Sequence, residues 1–196
     1  MKRETPAGNG KQRLPPPPAA EPAGETEDYF RIDSRRKLVA SLAEAIGGTS
    51  PECPPLVDLT AQAIDFDFDA GICGADVKEE LDGHEVVHVE PVSSREAFTV
   101  MEDFAFSRPD GQAERLQDAL SRRHPFRAFR AAVESLGILQ EWYDWRDRAY
   151  EKIAEERLDD GEIDFEDGKI VCRNPDNIRI FVFDGGDDAE DFDGEI

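Results

Sequence analysis

Phe126, Phe129, Val133 and Leu136 stand three, four and three residues apart, and Gly137 follows. Apolar side chains at that spacing share one face of an α-helix and need a second element to bury against. The next stretch repeats the pattern at greater length: Leu139, Trp142, Ala149 and Ile153 fall on one side of a helix running to about Leu158. Two adjoining amphipathic helices oblige this part of the chain to pack helix on helix.

The remaining elements are read from capping residues and period. Ser34 caps a helix with the stripe Leu38, Leu42, Ala45 and Ile46, closed by Gly47 and Gly48. Residues 56–68 are expected to form a second helix, although the Asp-Phe-Asp-Phe-Asp run at its end reads equally as extended chain. Asp82 and Gly83 make a turn, and the β-branched His-Glu-Val-Val-His-Val that follows reads as a short strand or hairpin ending at Pro91. Ser93 and Glu96 form a capping box for a helix bearing Phe98, Met101, Phe104 and Ala105. A further helix holds Ala113, Leu116 and Leu120. Asp167 and Gly168, set between Ile-Asp-Phe and Ile-Val-Cys, mark a β-hairpin, and residues 178–183 are one more expected strand. The sum is a helix-rich α+β single domain, residues 29–183, with a small peripheral antiparallel sheet.

Two tails flank that domain. Residues 1–28 contain four consecutive prolines and few large apolar side chains, a composition expected to stay disordered. Residues 184–196 carry seven acidic side chains and no basic one, and are expected to be a solvated tail. The net charge of −22 opposes approach to phosphate backbones and anionic lipid. No run approaches the length of about 18 apolar residues that spans a bilayer. Met1, Lys2 and Arg3 lead into no apolar segment, so neither a membrane nor a secretory route is expected and the assignment is cytoplasmic. Cys53, Cys73 and Cys172 are odd in number, widely spaced and without a Cys-x-x-Cys pair, which fits reduced thiols.

Three runs, REAFTVMEDFAF, LQDALSRRHPFRAFRAAVES and EWYDWRDRAYEKIAEERLDDGEI, resemble the bacterial uncharacterised protein family 0158. The likeness spans residues 56–163 and is densest from 97 to 163. It is carried by the combined spacing of Phe104, Leu116, Leu120, Phe126, Phe129, Trp142, Trp145 and Leu158. Where the family usually has Gly-Lys-(Gly or Ala)-Phe at its first paired phenylalanine, this chain reads Arg123, His124, Pro125, Phe126. The resemblance implies a helix-rich cytoplasmic protein and carries over no catalytic residue.

His84, Glu85 and His88 spell His-Glu-x-x-His, which on a helix would place two zinc ligands one turn apart with a glutamate base. Gly83, Val86, Val87 and Pro91 favour a strand instead. On a strand the two histidines stand roughly 13 Å apart, too far to share one ion. Asp65, Asp67 and Asp69 begin like a calcium loop, but Ala70 replaces the required glycine and Asp76 stands at the glutamate position. No Gly-x-Ser-x-Gly, Walker loop or Gly-x-Gly-x-x-Gly is present, and neither cofactor nor metal is expected.

The remaining feature is a basic window. Residues 119–133 hold Arg122, Arg123, Arg127, Arg130 and His124 and no acid. Arg123, Arg127 and Arg130 are expected on one helical face, where guanidinium groups can bind a carboxylate or phosphate in bidentate fashion. The opposing reading pairs them with the chain's own acids. Trp145 and Arg146 extend the candidate surface, with Arg146 stacked on an aromatic or paired with Asp118 or Glu134. The preferred reading is a non-enzymatic binding or regulatory module that holds an acidic protein through Arg123, Arg127, Arg130, Arg146 and Trp145. Nucleic acid is disfavoured as a partner by net charge. The alternatives are a zinc-dependent hydrolase through His84 and His88 with Glu85 as base, and an acidic decoy mimicking nucleic acid.

Overall fold

The structure, a computed structural model, describes residues 32–66 and 81–182. Residues 1–28 and 184–196, together with Asp67, Asp69, Ala70, Cys73 and Asp76, lie outside the described residues.

The fold is helix-rich α+β, with a small antiparallel sheet beside the helices. Helix α1 (Arg35–Gly48) starts where the Ser34 hydroxyl accepts the Lys37 N–H at 3.3 Å. Helix α2 (Ser94–Phe106) opens with both bonds of its capping box: Ser93 Oγ accepts the Glu96 N–H, and the Glu96 carboxylate accepts the Ser93 N–H at 2.8 Å. Then come α3 (Asp110–Leu120), α4 (Pro125–Leu136) and α5 (Leu139–Asp160). Gly137 ends α4 in the left-handed region, φ 71°, where a Cβ would be strained. Among the described residues no helix is long and apolar enough to cross a membrane.

Strands β1 (Pro55–Asp58), β2 (Ala63–Phe66) and β3 (Glu85–His88) join β6 (Arg179–Ile180) in an antiparallel sheet of order β2-β1-β3-β6. A separate hairpin, β4 (Ile163–Glu166) and β5 (Lys169–Cys172), turns at Asp167 and Gly168, both with positive φ, as the sequence led one to expect.

Of the helix expected over residues 56–68, the described part, to Phe66, is instead the β1–β2 hairpin. Every residue of β1 is buried, so its apolar run belongs to a strand covered on both faces. Period alone does not separate such a strand from a buried helix. The turn is fixed by Asp58, whose Oδ1 accepts the N–H groups of Thr60 at 2.7 Å and Ala61 at 2.8 Å. Of the strand expected over residues 178–183, β6 takes Arg179 and Ile180, and Phe181 extends the pairing: its N–H donates to the His84 carbonyl at 2.8 Å and its carbonyl accepts the Gly83 N–H at 2.9 Å.

Two cores result. Leu38, Leu42 and Ile46 of α1 meet Val57 and Val87 of the sheet in one; Phe104, Leu116, Phe129 and Val133 form the other. Helix α5, about 33 Å long at 1.5 Å per residue, joins them. Its Trp142 belongs to the helical core, and its Ala154 and Leu158 belong to the core under the sheet. Trp142 meets Phe129 edge-on at 4.9 Å and Phe104 at 5.3 Å, geometry that aligns ring edges with ring faces.

Candidate functional site

The chain leaves α3 at Leu120 and enters α4 at Pro125 through an exposed turn, Ser121 to His124. Proline suits that first helical position because its φ is already helical and its missing N–H has no partner to lose there. His124 supplies no side-chain cap. Arg123 therefore precedes the helix rather than lying on it, a correction to the single helical face expected for Arg123, Arg127 and Arg130.

The arginines of the basic window divide by partner. Arg122 pairs with Asp118 at 2.6 Å and Arg130 with Glu134 at 3.1 Å, both one helical turn apart. The hydrogen bond that Arg130 Nε donates to the Glu134 carboxylate holds the guanidinium above its ordinary value. Among the described residues Arg123 and Arg127 make no ion pair, and both are exposed. Between them Phe126 is 46 % exposed, with its ring edge-on to Phe98 of α2 at 6.4 Å. These residues line a shallow depression of about 360 Å³.

Trp145 and Arg146 stand elsewhere, because successive residues of a helix point about 100° apart. Trp145 packs edge-on to Phe104 at 5.9 Å and lines a cleft of about 500 Å³ between α2 and α5, with Arg95, Val100, Arg148 and Lys152. Arg146 lines the groove between α1 and α5. Its guanidinium carbon sits 5.0 Å from the Tyr143 ring centre and 6.0 Å from that of Tyr150, and it pairs with Asp147 at 2.6 Å. The aromatic stacking expected for Arg146 is present; its carboxylate is Asp147, not Asp118 or Glu134. In the same groove Tyr150 lies over Gly47, and burial holds its phenol above the ordinary value.

Glu85 to His88 of the His-Glu-x-x-His stretch form strand β3, not a helix. His84 precedes β3, and its Nδ1 lies 2.7 Å from Oδ2 of Asp58. Asp58 is fully buried, so its two backbone contacts and the imidazole replace the water it has lost. Glu85 is exposed, and its N–H donates to the Thr60 hydroxyl. The zinc-hydrolase arrangement, which requires His84 and His88 on adjacent turns of a helix, is overturned by the strand. Among the described residues no three His, Cys, Asp or Glu side chains stand close enough together to hold a metal ion. Asp58 escaped sequence reading; its one signal is an aspartate two residues before a threonine, the pattern of an Asx turn.

A second polar link was also missed. Arg157 of α5 reaches Glu96 of α2 at 2.7 Å, while its buried Nε lacks a hydrogen-bond partner among the described residues. Burial pushes the Glu96 carboxyl upward, but the Ser93 N–H and hydroxyl and the Arg157 charge outweigh it and hold the group below its ordinary value. On the other side of that link Arg157 shares a cleft with Arg179.

No family model, no curated protein and no solved structure matches this chain.

Proposed function

We propose that this protein is a non-enzymatic binding module that holds an acidic protein segment at the turn between α3 and α4. Phe126 is the apolar anchor, and Arg123 and Arg127 are the charged contacts. The observation carrying this reading is the contrast within one basic window. Arg122 is paired with Asp118 at the end of α3 and Arg130 with Glu134 within α4, whereas Arg123 and Arg127 flank a half-exposed aromatic and have no carboxylate partner among the described residues. Aromatic and arginine side chains dominate binding hot spots, and a guanidinium offers a carboxylate two parallel hydrogen bonds. A protein segment fits better than nucleic acid because a net charge of −22 repels a long polyanion while tolerating a short acidic stretch. Arg130, Arg146 and Trp145 are left out of the contact set, since each is committed to a neighbour or faces another groove.

Affinity capture from native lysate tests the reading, using the full chain and its Arg123→Glu/Arg127→Glu variant, each with and without nuclease. A partner that resists nuclease and is lost with the variant supports it. A partner retained by the variant, or released by nuclease, contradicts it.

A further inference from the structure

We infer that residues 184–196 of this chain are themselves a ligand for the Arg123/Phe126/Arg127 corner and compete there with the acidic partner; the inference rests on the reading of that corner given above. The segment holds seven acidic side chains, no basic one and a single aromatic, Phe192, between Asp191 and Asp193. The corner is its complement: a half-exposed aromatic between two arginines, inside a 15-residue window, 119–133, that has no acidic residue. The cleft that holds Arg95, Arg148 and Lys152 also holds Glu96, Asp103 and Glu156, whereas the Arg123/Phe126/Arg127 depression is lined by no acid.

The connecting length allows the contact. Arg179 of β6 borders the same cleft as Arg157 of α5. Arg157 reaches Glu96 of α2, and Phe98, two residues on, meets Phe126. The route from Arg179 to the corner is three element-to-element steps of about 10 Å at the usual packing distance. Val182 lies a further three residues, about 10 Å, along the strand beside His84. The path thus sums to about 40 Å, and the straight line is shorter. Phe192 lies ten residues beyond Val182 and Ile196 fourteen, and extended chain of those lengths spans about 33 Å and about 46 Å. Tethering also gives the segment an effective concentration on the order of millimolar, so a weak contact suffices to occupy the corner.

The test uses the full chain and a labelled peptide of the sequence of residues 184–196 as probe. It is titrated by fluorescence anisotropy into three proteins: wild type, a tail-neutralised variant, and the tail-neutralised variant that also carries Arg123→Glu/Arg127→Glu. The tail-neutralised variant replaces Asp by Asn and Glu by Gln over residues 184–196. The inference expects the peptide to bind the tail-neutralised chain about tenfold or more tighter than wild type, a difference large enough to read from Kd, and the arginine reversals to abolish that gain. Phe192→Ala in the otherwise native chain should give part of the same gain, which separates anchoring from loss of charge. Equal binding to wild type and tail-neutralised chain overturns the inference but leaves the corner as a docking site. Binding that ignores the arginine reversals overturns it and places the acidic segment elsewhere. Absence of binding to every variant overturns both the inference and the reading of the corner.

Discussion

Phe98 of α2 and Phe126 of α4 meet edge to face at 6.4 Å, 65° between ring planes, at the rim of the helical core. The contact steadies a ring that is otherwise half in water, which is what a docking anchor requires: fixed in place yet open to a partner. Phe129, one turn on, is buried against Phe104 and Trp142.

The two phenylalanines should separate binding from stability. Phe129→Ala should cost about 3–5 kcal/mol, the usual range for emptying a buried aromatic site. Phe126→Ala should cost about 1 kcal/mol, most of it the edge-to-face contact, yet weaken capture of an acidic partner. Urea denaturation alongside binding checks this. A Phe126→Ala variant as unstable as Phe129→Ala would make Phe126 a core residue.

Gly47 is expected to reverse an ordinary rule. Replacing a glycine inside a helix by alanine normally stabilises by about 1 kcal/mol. Here a Cβ would stand 2.6 Å from Cδ2 of Tyr150, closer than carbon atoms tolerate, so Gly47→Ala should lower the melting temperature. In a Tyr150→Ala background the same change should become neutral or stabilising. Absence of that coupling in a double-mutant cycle would show that the ring moves aside freely.

Asp58 should be among the least replaceable polar residues. Asp58→Ala removes the acceptor for two backbone N–H groups and the partner of His84 together. Groups stranded in this way cost about 1–3 kcal/mol each. Asp58→Asn, which keeps one acceptor oxygen, should lose less. Equal denaturation midpoints for the two variants would contradict this account of the turn.

Acidification should weaken the fold through two carboxylates on different elements. Glu96 and Asp164 are both held below their ordinary values of 4.5 and 3.8. For Asp164 the Phe165 N–H leads, followed by the hydrogen bond and charge of Arg35 and the charge of Arg173. A group with a lowered folded value contributes its full stabilisation above the unfolded value and loses it as pH falls through the folded one. Stability should therefore decline on acidification below about pH 4.5, and Glu96→Gln should flatten part of that decline. An unchanged pH profile in the variant would contradict the assignment.

Local chemistry made much of this architecture legible. Ser34, the Ser93/Glu96 box, Gly137 and the Asp167–Gly168 turn each act within a few residues, and each marks the boundary it was expected to mark. Residues 56–66 misled because a short apolar run buried on both faces carries no period to read. The site was legible only as composition. The basic window was visible, but which arginines are neutralised depends on where α4 begins, and Arg123 falls just outside it. The links Asp58–His84 and Glu96–Arg157 join residues 26 and 61 positions apart, so only the tertiary fold brings them together.

The central claim is that Arg123 and Arg127 hold an acidic segment. Its most direct test is fluorescence anisotropy of a short polyglutamate peptide with one central phenylalanine, titrated into the full chain and into its Arg127→Glu variant, beside a single-stranded DNA of equal charge. The account predicts peptide binding that weakens with salt and falls about tenfold in the variant, roughly 1.4 kcal/mol, with the DNA binding less well than the peptide. Peptide affinity unchanged by Arg127→Glu, or tighter binding of the DNA, would contradict it.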